Sequence, residues 1–381
     1  MRAVRWKGPR MVSVDDVDDP RIEEPTDAII RVTASGLCGS DLHLVDHGAT
    51  MAVKPGDVLG HEPMGVVEEV GSDVTRLKKG DTVVVPFNIS CGSCFMCAHE
   101  LYSQCETTQN LGGRKGASLF GYTHLYGGVD GGQAEFLRVP QAHFGPIKVD
   151  LDEVPELGAL LLSDVLPTAW QAVDYAPFDH GDTVAIYGLG PIGQMCVSIA
   201  KHRGAGRVIG IDRFADRLSM AEKRGAEVVD YSSVDDIADC VREMTGGRGA
   251  DAVIDAVGMD ADGSFADRLF QTLKIQPDRF AALHAALASC RRGGNVSVTG
   301  VYSMWMLNFP IGDLFDKQIG LRWGQANVKR WTGGLYELLK DGDPLDAAGL
   351  VTNVEPLEKA PEMYDRFKKK EDGVIKVVFR P

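Results

Sequence analysis

No apolar stretch in these 381 residues approaches the roughly 20 that a membrane helix needs. The start, Met1-Arg2-Ala3-Val4-Arg5-Trp6, has no apolar run long enough for a signal peptide, so the cytoplasm is the expected compartment. An excess of positive charge is also missing. The net charge is −14, and binding to nucleic acid needs a basic face. The one basic run, Lys368-Lys369-Lys370, is followed at once by Glu371 and Asp372 and reads as solvated surface. Internal repeats and low-complexity segments are lacking too. With a hydrophobic fraction of 44% and a charged fraction of 25%, what remains is an ordinary globular chain of one large or two smaller domains.

Cysteine is concentrated rather than scarce. Cys91, Cys94, Cys97 and Cys105 fall in one polar loop, C-G-S-C-F-M-C-A-H-E-L-Y-S-Q-C. Two-residue gaps let neighbouring thiolates turn onto one ion, and four thiolates close a tetrahedron with no open position. That predicts a structural zinc. The competing reading is two disulfides, which a chain of this length without a secretory signal has little need of. Cys196, Cys240 and Cys290 fall in stretches expected to be helical and read as small buried apolar residues.

Periodicity divides the chain. The first 150 residues are β-rich, with short β-branched runs at 27–32, 66–70, 82–85 and 134–139 separated by glycine and proline turns. Beyond about residue 155, strands and helices alternate. Strands are expected at 183–187, 207–211, 226–229, 252–256, 296–299 and 319–323, with helices over 192–202 and 215–224. This is the pattern of an α/β doubly wound parallel sheet. The segment after about 326 has no place in that sheet, and its last strand, 374–379, is free to rejoin the N-terminal β domain. The polar stretch 259–278 reads as an insertion.

Gly188-Leu189-Gly190-Pro191-Ile192-Gly193 follows a strand and opens a helix, the context that gives G-x-G-x-x-G its meaning. The first glycine makes the turn and the second admits a pyrophosphate. The third allows close packing, and the helix N-terminus faces the phosphates. Asp212, ending the second strand, would accept from ribose hydroxyls and repel a 2′-phosphate, which favours NAD over NADP. Arg213 beside it is the one residue that argues the other way.

Cys38, in Gly36-Leu37-Cys38-Gly39-Ser40-Asp41-Leu42-His43, and His61, in Gly60-His61-Glu62-Pro63, suit zinc if a further ligand joins them. Alone, such a pair reads as packing residues. Taken with the four-cysteine loop, the glycine turn and Leu162-Ser163-Asp164-Val165-Leu166-Pro167-Thr168, however, the chain resembles the zinc-dependent medium-chain alcohol dehydrogenases over essentially its whole length. Its look is closest to the branch containing glutathione-independent formaldehyde dehydrogenases.

The resemblance implies a β-rich GroES-like catalytic domain over 1–164 and 326–381, with the structural zinc loop at 91–105. A Rossmann coenzyme domain would span 165–325. It further implies two zinc ions per chain, with Cys38, His61 and Asp164 on the catalytic one. Glu62 is then a nearby carboxylate or a transient fourth ligand, and Asp41 orients His61. Ser40 bonds the alcohol oxygen, and His43 passes the proton on. Around the cofactor, Thr168 and Arg217 match contact positions. Lys376 matches a basic residue that reaches the pyrophosphate in relatives, and Gly39 stands where some carry another such contact. Phe87, Tyr122, Trp170, Tyr302, Trp305 and Met306 are candidate pocket residues. The expected activity is hydride transfer between a small alcohol, or hydrated aldehyde, and NAD in a homodimer or homotetramer. The alternatives are an aldehyde dismutase that keeps its NAD, suggested by the insertion, and a catalytically silent redox or metal sensor.

Overall fold

The computed structural model describes residues 1–258, 280–302, 309–370 and 372–381. The chain forms two compact units, Met1–Pro167 with Ala326–Pro381, and Thr168–Gln325. The 259–278 insertion, Trp305 and Met306 lie outside the described residues.

The first unit opens with a hairpin that the β-branched runs did not announce, β1 (Arg2–Gly8) and β2 (Met11–Asp16). Its main sheet is built on β3 (Ala28–Leu37) and β4 (Glu62–Val70), an antiparallel pair. β5 (Thr82–Val84) and β7 (Ile147–Lys148) extend it beyond β4, and β6 (Phe136–Val139) pairs with β3. Ile30, Val32, Val67, Val83, Phe120 and Leu137 fill the core on this part of the sheet.

β3 is nearly all buried, as a strand covered on both faces must be. Its register with β4 sets Gly36 opposite Glu62. The end of one strand therefore meets the start of the next, and the residues just outside, Cys38 and His61, converge. β4 begins at Glu62 rather than at the expected residue 66, because the apolar pattern is interrupted by Pro63 and Gly65 while the ladder is not.

In the second unit the strands are β8 (Thr183–Tyr187), β9 (Arg207–Asp212), β10 (Glu227–Asp230), β11 (Ala250–Asp255), β12 (Cys290–Val298) and β13 (Gly320–Trp323). They are all parallel, in the order β10-β9-β8-β11-β12-β13. That is the doubly wound order, with its switch point between β8 and β11, where ligands bind beyond the strand ends. Cys290 starts β12 instead of sitting in a helix. The helix before it ends at Ser289, and a glycine pair, Gly293-Gly294, follows within the strand.

The chain then returns to the first unit. β14 (Asn353–Pro356) pairs with β15 (Val377–Arg380), and β15 pairs antiparallel with β3, Val377 opposite Leu37. A core of Trp6, Leu37, Leu44, Leu357, Phe367 and Phe379 binds the hairpin, the sheet and the last helix.

Candidate metal centres and dinucleotide turn

Cys38, His61, Glu62 and Asp164 bring one donor atom each to within 4.8 Å of one another. Cys38 Sγ lies 3.8 Å, and His61 Nε2 3.6 Å, from Asp164 Oδ2. Zinc–ligand lengths at tetrahedral angles set donor–donor spacings at about 3.4–3.8 Å, so this set fits the ion. The charges fit as well. Burial lifts the Cys38 thiol above its ordinary pKa against the pull of His61. Burial lowers the His61 imidazole, but Asp41, Cys38 and Asp164 together raise it well above the usual value. The cluster is thus rich in anionic groups and short of positive charge.

Local structure positions two of these donors. Cys38 is the N-cap of the helix Gly39–His47, and Asp41 at its third position accepts from the Cys38 backbone N–H at 3.0 Å. The other Asp41 oxygen lies 3.1 Å from His61 Nδ1. With Nδ1–H held there, Nε2 keeps its lone pair for a metal. Behind Asp41, Gln133 Nε2 donates to Asp41 Oδ2 at 3.3 Å and Tyr364 donates to Gln133 Oε1 at 2.8 Å. Neither Gln133 nor Tyr364 was anticipated. A glutamine between a glycine pair and an apolar strand, Gly131-Gly132-Gln133-Ala134, was the available signal.

Lys376 lies beside the same donor cluster. It is fully buried, and its ammonium donates to Glu62 Oε2 at 2.5 Å and to the Leu37 carbonyl at 3.0 Å. Burial raises the Glu62 pKa and Lys376 opposes that rise. Glu62 Oε1 is buried with no hydrogen-bond partner among the described residues.

Ser40 and His43 lie three residues apart on the helix that Cys38 caps, hence on one face, and both are half-buried. Phe87 and Tyr122 set their rings edge-on to His61, at centroid distances of 6.2 and 6.3 Å. Two other aromatic candidates belong to the second unit's own packing. Trp170 lies under the Arg203 guanidinium at 5.8 Å. Tyr302 stacks on Phe280 and donates to Asp255 Oδ2 at 2.7 Å.

The four loop cysteines also converge within 4.8 Å, and all eight cysteines of the chain are free thiols. Cys94 Sγ and Cys105 Sγ are 3.9 Å apart, close to the spacing on a shared zinc. Backbone N–H groups aim at the sulfurs: Cys94 N at Cys91, Cys91 N at Cys105, and Glu106 N at Cys94. Burial raises the Cys91 thiol, but the Thr107 hydroxyl and backbone donors outweigh it and bring its pKa down to about 6. Burial and the adjacent thiols push Cys97 the other way. Without a cation the four cannot all ionise. The same loop, with Asn88 just before it, anchors the chain as it re-enters this unit. Ser103 donates its N–H and hydroxyl to Asn327 Oδ1, and Asn88 donates to the Ala326 carbonyl.

In the second unit, Gly188 adopts φ +85°, and a Cβ on Gly193 would sit 1.9 Å from the Gly188 carbonyl oxygen. A Cβ on Gly190 would meet nothing nearer than Arg217 at 3.8 Å. Bare backbone thus faces open space at the N-terminus of the helix Pro191–His202, where Pro191 and Ile192 form the first turn. Such a cradle fits a diphosphate. Asp212 is buried. Its Oδ2 accepts from Leu189 N at 2.8 Å and its Oδ1 from Arg213 N at 2.7 Å, so it braces the glycine turn. Arg217 approaches Asp212 Oδ2 at 3.5 Å, and the guanidiniums of Arg213 and Arg217 both lie over the Phe214 ring. Thr168 is half-buried in the helix Val165–Tyr175.

Comparison with known proteins identifies the family. The alcohol dehydrogenase GroES-like domain family matches residues 24–149, and the zinc-binding dehydrogenase family matches residues 191–276. The chain is 43% identical to the zinc-type alcohol dehydrogenase-like protein AdhB of Bacillus subtilis (strain 168), covering 100% of both. It is 30% identical to a glutathione-independent formaldehyde dehydrogenase of Pseudomonas aeruginosa, covering 96% of this chain and 94% of the relative. Among solved structures, the alcohol dehydrogenase TADH from Thermus sp. ATN1 superposes with a TM-score of 0.85 at 35% identity, covering 100% of this chain and 99% of that one. Two convergent donor clusters, a doubly wound sheet with its glycine turn, and full-length relatives agree: the chain belongs to the zinc-type medium-chain alcohol dehydrogenase family.

Proposed function

We propose that this protein transfers a hydride between a small alcohol, or a hydrated aldehyde, and NAD, with one zinc held by Cys38, His61 and Asp164 and a second by the four-cysteine loop. The observation that carries the reading is the first donor set: thiolate, imidazole and carboxylate at zinc spacing, with His61 Nδ1 tied to Asp41. Three protein ligands are the number that leaves a position for substrate, whereas four thiolates leave none. When bound there, zinc supplies Lewis acidity, lowering the pKa of a hydroxyl placed at the open position.

The chain's own residues do the rest. Asp41 holds the imidazole in the metal-binding tautomer. Ser40 hydrogen-bonds the alcohol oxygen and, as it accepts the hydroxyl proton, releases its own, which travels by way of the nicotinamide ribose to His43, one helical turn on, and so to solvent. Phe87 and Tyr122 supply an apolar wall beside His61, which suits the carbon skeleton of a small alcohol and limits water. NAD is the favoured acceptor because a buried carboxylate, Asp212, ends β9 and braces the glycine turn, where it opposes a 2′-phosphate. Hydrated aldehydes are included because relatives named formaldehyde dehydrogenase align over nearly the whole chain.

The test is a screen for NADH formation over short alcohols and aldehydes, with metal content measured on the same sample. Turnover of at least one substrate with NAD, on protein carrying two zinc ions, is expected. Fully metallated protein that is inert across the panel with both NAD and NADP would refute the proposal.

A further inference from the structure

An ammonium without exposed surface is rare and needs a counter-charge and further acceptors. Lys376 has both, and their places in the chain are informative. The Leu37 carbonyl, 3.0 Å from Nζ, belongs to the residue before Cys38. Glu62, whose Oε2 is 2.5 Å from Nζ, is the residue after His61. One cation therefore spans the two segments that present the thiolate and the imidazole. The other Glu62 oxygen, Oε1, is buried and bonded to nothing among the described residues, and the carboxylate belongs to the same cluster of donor atoms as Cys38, His61 and Asp164. Its space exists because residue 36 is glycine, where a Cβ would lie 2.1 Å from Glu62 Oε2.

We propose that Lys376 is a positioning residue for the metal: it holds Glu62 beside the ion and off it, and so keeps the fourth coordination position open for substrate. The proposal rests on Cys38, His61 and Asp164 being the ligands. Among the four converging donors, Cys38, Asp164 and Glu62 carry three negative charges, which a zinc dication and one ammonium balance, while the Asp41 carboxylate behind His61 is held by its own hydrogen bonds. Removing the ammonium alone leaves a buried carboxylate uncompensated, a costly state. The nearest remaining cation is the metal, and Oε1 is already free to turn onto it. The site then closes with four protein ligands, the arrangement of a structural zinc. With the lysine present, Oε2 is engaged and the carboxylate is restrained.

The test uses the full-length protein with cobalt(II) in place of zinc, whose visible absorption reports coordination. Imidazole serves as the probe of an open position. In the parent, imidazole shifts the spectrum. In Lys376→Met the metal is retained, but the imidazole response weakens tenfold or more and NADH-linked turnover falls by a similar factor, the scale typical of residues that orient ligands. The double variant Lys376→Met/Glu62→Gln removes the carboxylate together with its cation and leaves nothing to close the site, so it regains the imidazole response. Lys376→Arg, which keeps the charge, stays close to the parent.

A Lys376→Met protein with parental imidazole affinity overturns the proposal. So does a folded double variant that fails to recover, which also covers the case in which the single variant does not fold. If the parent binds cobalt only at the four-cysteine loop, the ligand assignment itself fails, a result distinct from either.

Discussion

Replacing Asp41 by Asn separates the metal's orienting carboxylate from its shape. Asp41 is fully buried and accepts from the Cys38 backbone N–H, from Gln133 Nε2 and from the His61 ring, at 3.0, 3.3 and 3.1 Å. An asparagine keeps the volume but has one acceptor oxygen. Its amide N–H₂ must then face at least one of those donors. If the oxygen stays with Cys38 N and Gln133, the His61 Nδ1–H is stranded, or the imidazole changes tautomer and gives up the Nε2 lone pair. Either outcome costs about 1–3 kcal/mol, the penalty for a buried unsatisfied polar group. At about 1.4 kcal/mol per tenfold, that weakens the catalytic zinc by about 5- to 150-fold, in line with the 10- to 100-fold typical of such partners. The assay is competition with a graded chelator, followed by metal analysis. Asp41→Asn should surrender one zinc at chelator concentrations the parent withstands and keep the one in the four-cysteine loop. Parental zinc affinity and turnover in Asp41→Asn would falsify the orienting role of this carboxylate.

Three other perturbations probe separate parts of the molecule. Gly193→Ala places a methyl against the Gly188 carbonyl oxygen and must distort the glycine turn; titration of NADH fluorescence should show binding weakened about tenfold or more, as a misplaced first-turn amide implies, with zinc content unchanged. Cys94→Ser should lose one zinc. Because Ser103 and Asn88 hold Asn327 and Ala326, hydrogen exchange over 326–330 should then quicken, whereas unchanged protection there would show that the loop does not anchor the returning chain. Glu156 and Arg380 form a two-bond ion pair between the end of β15 and the helix leading toward Asp164. The Arg380 hydrogen bond lowers the Glu156 pKa in the folded state. Its stabilisation is therefore present above the unfolded carboxyl value of about 4.3 and lost as pH falls through the folded value. Since both side chains are about a third exposed, Glu156→Gln should cost only ~0.5–1 kcal/mol near pH 7 and almost nothing well below the folded value, measured by denaturant unfolding at both; a cost independent of pH would assign the effect to packing.

Legibility in the sequence followed the range of the interactions. The four-cysteine loop is visible because all its donors lie within one turn-rich stretch. The doubly wound sheet is visible because strands buried on both faces are short continuous apolar runs, as in Thr183–Tyr187. Cys38, His61 and Asp164 have no local period and drew meaning only from a family resemblance; what joins the first two is the β3–β4 register, a long-range property. Lys376 shows the same dependence. The resemblance offers it as a pyrophosphate contact, and only the pairing of β15 with β3, which sets Val377 opposite Leu37, places it beside Glu62. Gln133 and Tyr364 reach Asp41 from 92 and, through Gln133, a further 231 positions away. The first hairpin was missed because its strands alternate with charged residues rather than forming an apolar run.

Zinc stoichiometry in Cys38→Ala, measured beside NADH binding and NADH-linked turnover, tests the two-zinc dehydrogenase reading most directly. One zinc should remain per chain where the parent holds two, NADH should still bind, and turnover should vanish. Two zinc ions with turnover intact would place the chemistry somewhere other than the Cys38, His61 and Asp164 cluster.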